Sequence, residues 1–210
     1  MITQLTAFEK DALKEVVSIG AGNAATALSQ MTGTKVTLIV PRVHLEPLET
    51  VGQVFGSPEK IITCVFLQCL GDLAGVLLFS FDDADALTLA QLLTTPPATP
   101  QQADLTMIAS AIKETGTILS GNCVNALATF FNIKISITPP ALVTDMAGAI
   151  IDNILIETAR EANHALVVDT ELHIINHKIK SCFFFVPDTA SLKKLLALIK
   201  PTDKQQGPRA

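Results

Sequence analysis

One pattern constrains this chain more than any other: it carries the same helical stretch twice. Asp11-x-x-x-Glu15-x-x-Ser18 runs into Gly22-Asn23, and 99 residues later Ser110-x-x-x-Glu114-x-x-Thr117 runs into Gly121-Asn122. The register persists beyond the helix. Ala27-Leu28 matches Ala126-Leu127, Lys35-Val36 matches Lys134-Ile135, Leu38 matches Ile137, and Pro41 matches Pro140. At 210 residues the chain can fill one sizeable core or two small ones, and a duplication favours two half-domains that share one.

Helix geometry sorts the repeated residues into two sides. At about 100° per residue, Asp11, Glu15, Ser18 and Gly22 fall within roughly 60° of one another. Leu13, Val16, Val17, Gly20, Ala24, Ala27, Leu28 and Met31 lie opposite, a small and apolar stripe suited to close packing. The second copy repeats the division: Ile108, Ala111, Ile112, Leu119, Cys123, Ala126 and Leu127 face a core, while Ser110, Glu114 and Thr117 share the other side. A single polar stripe of this kind is usually a solvated helix face. Two in register in one chain call for a further reason.

The rest of the chain supplies strands and three shorter helices. A helix from about Phe8 to Met31 ends at Thr32-Gly33, where glycine can take the left-handed cap. Lys35 to Val40 reads as a strand stopped by Pro41. Ile61–Leu67 and Val76–Phe79 read as buried strands joined by a tight turn, and Asp82-Asp83 opens a helix through Leu93. The proline-rich stretch at 95–102 divides half-repeats at about 7–94 and 103–200. The second half predicts a helix from about Ala103 to Phe131, a strand from Ile133 to Thr138, a helix from Asp145 to about Ala162, strands near Ala165–Ile175 and Ile179–Val186, and a helix from Asp188 to Ile199. Residues 203–210 read as a disordered tail. The expected fold is α+β: an internal duplication of two pseudosymmetric halves in one domain, 1–202, with a largely antiparallel sheet and long helices packed on a face.

Composition removes several function classes. The chain is 49% apolar with a mean hydropathy of +0.43, yet its longest hydrophobic stretch, Ile61 to Phe81, is broken by Gly71-Asp72. No membrane insertion is expected, and with no secretory signal at the amino terminus the cytoplasm is the expected compartment. A net charge of -5 without Trp or Tyr argues against a nucleic-acid surface. Cys64, Cys69, Cys123 and Cys182 lack metal or redox spacing and read as buried reduced thiols. Gly20-Ala21-Gly22-Asn23-Ala24-Ala25 fits a loose dinucleotide fingerprint, but it lies inside a helix instead of between a strand and a helix. His173-x-x-x-His177 would chelate a metal only if helical, and the segment reads as strand, so no metal site and no cofactor of its own are expected.

The two stripes resemble the signature of the CheC family of chemotaxis proteins: an Asp or Ser, a Glu four residues later, an Asn three after that and a proline twenty-three further on. Asp11, Glu15 and Pro41 fit in the first half, and Ser110, Glu114 and Pro140 in the second. Ala141-Leu142 and Asp145-Met146-Ala147-Gly148-Ala149 are similar to the stretch that follows the second proline in that family. The resemblance implies a protein aspartyl-phosphate phosphatase that hydrolyses the phosphoryl group of the response regulator CheY. Glu15 and Glu114 would contact the regulator's phosphate-binding lysine. The polar residue three later would orient the attacking water, and Mg²⁺ would come from the regulator. Asp11, Ser110, Gly22, Gly121, Pro41 and Pro140 would serve docking.

The chain departs from that signature at the water-orienting position, which is Ser18 in one half and Thr117 in the other. A hydroxyl can donate and accept, but it reaches about one bond less far than an amide, and a misplacement of ~1 Å can cost on the order of a hundredfold in rate. Two readings follow: a slow phosphatase, or an adaptor that binds phosphorylated CheY without hydrolysing it. The adaptor reading has a second partner, the receptor deamidase CheD, with Asp145, Met146, Gly148 and Asp152 as contact candidates. A monomer is expected, since the duplication completes the sheet within one chain.

Overall fold

Thr6 starts the first helix. Its hydroxyl accepts from Glu9 N at 3.2 Å while Glu9 Oε2 accepts from Thr6 N at 2.8 Å, so two otherwise unpartnered donors of the first turn are satisfied. Helix α1 then runs Ala7–Thr32 and stops at Gly33, whose φ of 63° is the left-handed cap. The computed structural model describes residues 4–93, 105–158 and 162–200. The proline-rich divider at 95–102 and the tail at 203–210 lie outside the described residues.

In chain order the remaining elements are β1 (Val36–Pro47), a 3₁₀ turn (Val51–Phe55), β2 (Ile61–Gly71), β3 (Gly75–Asp82), α2 (Asp83–Leu93), α3 (Leu105–Phe131), β4 (Ile135–Ile137), β5 (Ala141–Met146), α4 (Ala147–Thr158), β6 (His164–Ile174), β7 (His177–Pro187) and α5 (Thr189–Ile199). The strands form one antiparallel sheet of seven, ordered β1-β6-β7-β3-β2-β4 with β5 also on β2. The hairpins β2–β3 and β6–β7 meet at the centre through β3 and β7. Each half's leading strand crosses to the other half's hairpin: β1 pairs with β6, while β4 and β5 pair with β2.

The two long helices pack on one face of the sheet as expected, and the other face is covered as well. On one side α1, α3, α2 and α5 bury Leu13, Val17, Leu28, Leu119 and Leu195 against Val65, Phe79, Phe81 and Phe183. On the other, α4 and the 3₁₀ turn cover Ile62, Cys64, Leu78, Val167 and Phe184. The long helices approach each other at Gly20, where a Cβ would sit 2.8 Å from Cys123 Cα and 2.9 Å from Asn122 O. The hydrophobic stretch from Ile61 to Phe81 is the β2–β3 hairpin, and no helix among the described residues is long and apolar enough to cross a membrane.

Three local expectations need correction. β1 is not stopped by Pro41; it continues to Pro47 with a register shift between Ile39 and Arg42. Proline lacks the ladder donor, and an edge strand with a bulge is where that loss is tolerated. In the second copy Pro139-Pro140 does interrupt the strand, splitting it into β4 and β5. Asp145 and Met146, expected at a helix start, are the last residues of β5, paired with Ile62 and Ile61. Met31, placed on the buried stripe by periodicity, is 46% exposed because α1 outruns the core there.

Candidate functional site

The polar ridges stand where helix geometry puts them. On α1, Leu13, Val16, Val17, Gly20, Ala21 and Ala24 are buried, while Asp11, Glu15, Ser18 and Gly22 are exposed. On α3, Ile112, Leu119, Cys123, Ala126 and Leu127 are buried. Ser110 and Glu114 are exposed, and Thr117 and Gly121 half-buried. Each Glu therefore sits one turn from a hydroxyl on a helix held rigid by its opposite side.

The hydroxyls differ in what holds them. Thr117 Oγ1 donates to Lys113 O at 2.8 Å, and Ser110 Oγ to Thr106 O at 2.8 Å, both bonds back into the preceding turn. The Ser18 hydroxyl makes no hydrogen bond with any described residue. Neither Glu15 nor Glu114 enters an ion pair with a described residue.

Gly22 and Gly121 contrast with the packed Gly20. A Cβ at Gly22 would meet nothing within 4 Å, and one at Gly121 would only touch Ile137 Cδ1 at 4.0 Å. Glycine inside a helix costs roughly 1 kcal/mol relative to alanine. No internal contact accounts for that cost at Gly22, where the bare backbone is open to an approaching surface. Pro41 is carried next to ridge one: Lys14, adjacent to Glu15, donates to Pro41 O at 3.0 Å. Pro140 lies between β4 and β5, just past Thr138, whose N–H donates to Gln68 O at 3.0 Å and whose hydroxyl accepts from Gln68 N at 2.9 Å.

The residues after β4 are divided between two elements. Asp145 is exposed at the end of β5 with Oδ1 accepting from Met146 N at 2.7 Å. Gly148 begins α4 against Pro58, whose carbonyl accepts its N–H at 2.9 Å, and Asp152 is exposed one turn on. Ile150 and Ile154 of α4 go into the core, so this helix covers the sheet with its apolar side.

Sequence reasoning missed a groove of about 270 Å³ between the start of α1 and the carboxyl ends of α3 and α5, lined by Phe8, Asp11, Glu15, Phe130, Phe131 and Ile199. Its one legible signal is a break in the repeat: Phe130-Phe131 stands where the first copy has Met31-Thr32. None of the cysteines is an activated thiol. All four are free, and burial pushes each thiol up to about 12. His173 and His177 fall in the β6–β7 hairpin.

These features define a class: a duplicated α+β protein that offers an acid and a hydroxyl on each of two long, side-by-side helices. The model of the CheC-like family matches residues 8–45 and 107–144, the two stretches that hold both ridges and their prolines. A Bacillus subtilis (strain 168) protein, CheY-P phosphatase CheC, is 31% identical over 196 residues, covering 91% of this chain and 93% of that protein. The chain belongs to the CheC-like family. Its fold is also that of Thermotoga maritima FliY, with a TM-score of 0.72 at 24% identity over 93% of this chain and 97% of that one. The middle domain of FliM from H. pylori gives a TM-score of 0.62 at 13% identity over 92% and 99%.

Proposed function

We propose that this chain acts on the phosphorylated form of a CheY-type response regulator and hydrolyses its aspartyl phosphate slowly. The observation that carries this is the pair of Glu-plus-hydroxyl ridges, each Glu exposed, on buried-backed helices in a member of the CheC-like family, whose B. subtilis member is a CheY-P phosphatase. Phosphoryl transfer needs an attacking water held in line and charge stabilised more than it needs covalent help. A helix face entering the regulator's site supplies such placement. Glu15 or Glu114 anchors on the regulator's lysine, and Ser18 or Thr117 holds the water that attacks phosphorus as the bond to the aspartyl oxygen breaks. Mg²⁺ belongs to the regulator. Asp11, Ser110, Gly22, Gly121, Pro41 and Pro140 form the surface around that contact.

The test is the decay of phosphorylated CheY with and without the protein, beside the Ser18→Asn plus Thr117→Asn variant. Acceleration by the natural protein, and a further gain of ten- to a hundredfold on restoring the amides, is the expected result. No gain from the amides would remove the argument that the hydroxyls limit the rate.

A second reading, an adaptor without hydrolysis, is favoured by one observation: the Thr117 hydroxyl proton is already committed to Lys113 O. In that reading phosphorylated CheY is held but not turned over, and the exposed Asp145, Met146 and Asp152, with Gly148 beside them, contact CheD. Charge substitution at Asp145 or Asp152 would then weaken CheD binding and leave CheY binding alone.

A further inference from the structure

The ridges are copies in sequence but not in surroundings. Ridge one is continuous with the 270 Å³ groove, because Asp11 and Glu15 belong to both. The floor is aromatic: Phe130 and Phe131 meet edge to face with centroids 5.0 Å apart, and Phe8 stands beside them 53% exposed. Asp11 and Glu15 are the charged side chains of the lining, and neither is in an ion pair with a described residue. At the repeat-related positions ridge two has Met107, Ser110, Glu114, Met31 and Thr32. It therefore has one carboxylate fewer and no aromatic residue. Its Thr117 hydroxyl donates into its own helix, whereas the Ser18 hydroxyl has no partner among the described residues.

We propose that ridge one, not ridge two, is the regulator-docking ridge, and that its groove takes an apolar side chain of the regulator lying next to a lysine or arginine. The inference rests on the regulator reading above and deepens it. Two carboxylates with no ion pair among the described residues, at the rim of an aromatic floor, are complementary to that combination: the apolar part displaces water from the rings, and the cation meets Asp11 and Glu15. Gly22 and the Ser18 hydroxyl extend the same surface along α1 toward the phosphoryl group.

Phe8 and Met107 provide a matched pair for the test. They are 99 residues apart in the repeat, each is near the start of its helix, and they are 53% and 57% exposed. Phe8→Lys and Met107→Lys are compared in the full chain for binding to CheY that carries beryllofluoride in place of the phosphoryl group, with unchanged melting temperatures checked first. Phe8→Lys is expected to weaken binding tenfold or more and Met107→Lys less than twofold. Equal losses, or a larger loss at Met107, overturn the assignment. So does a Phe8→Lys variant that binds normally but loses self-association, which would give the groove to a second copy. Tighter binding after removal of residues 201–210 would give it to the chain's own end and overturn it equally. A natural protein that does not bind the activated regulator at all removes the regulator reading and this inference together. Failure to hydrolyse, with the Phe8 and Met107 contrast intact, strikes only the hydrolysis.

Discussion

Gly20 and Gly22 lie two residues apart on the same helix and answer to different partners. Gly20 is pressed against the backbone of α3, where a side chain would collide with Cys123 Cα at 2.8 Å. Gly22 faces open space. The first is explained by the fold and the second is not, although both incur the same helix-propensity penalty. Within two residues of each other, the pair therefore separates a glycine that the packing of α1 requires from one that it does not.

The largest effect on stability is expected at the packed position. Gly20→Val drives two methyls into the α3 backbone, which side-chain rearrangement cannot relieve, and is expected to cost about 3 kcal/mol, at the upper end of overpacking. Urea unfolding checks this; a loss under 1 kcal/mol would mean the helices can move apart freely. Gly22→Ala is expected to do the opposite, gaining about 0.5–1 kcal/mol while weakening regulator binding, because the new methyl would occupy the surface proposed above for docking. A stabilised variant that binds as well as before would show that Gly22 is not read by a partner. Glu15→Gln removes an exposed charge that no described residue pairs with, so its stability change stays within about 0.5 kcal/mol. Its binding to phosphorylated CheY is expected to fall, and a calorimetric titration beside the melting curve separates the two effects.

Local rules explain what was legible and what was not. The ends of α1, the β2–β3 and β6–β7 hairpins and the start of α5 at Asp188 were readable because each depends on neighbours in sequence: a left-handed glycine, a turn, an acidic cap whose Oδ1 accepts from Ser191 N. The ridges were readable because periodicity carries exposure. The exchange of β1 and β5 between halves was not, since pairing partners far along the chain leave no local mark. Pro41 was misread because a proline's tolerance depends on whether its strand is at an edge, which only the assembled sheet reveals. Asp145 was misread because an acidic residue before an alanine-rich stretch resembles a helix start. In the structure Pro58 O and Lys60 O accept from the first amides of α4 instead. The aromatic groove joins residues from three helix ends, so its parts were visible in the sequence but their meeting was not.

The crossing of the leading strands also sets a timetable for synthesis. Arg42 of β1 reaches its partner Asp169 of β6 127 residues later in the chain. At about 5–20 residues per second, the amino-terminal edge strand leaves the ribosome on the order of ten seconds before the strand that will cover it exists. During that interval Val36, Val40, Val43 and Leu45, all buried at the end, have no sheet to join. A newborn chain of this design is most exposed to mispairing and to chaperone capture at its first strand, and Pro41, which offers no ladder N–H, lies in the middle of that waiting strand, where it hinders another strand from adding to it.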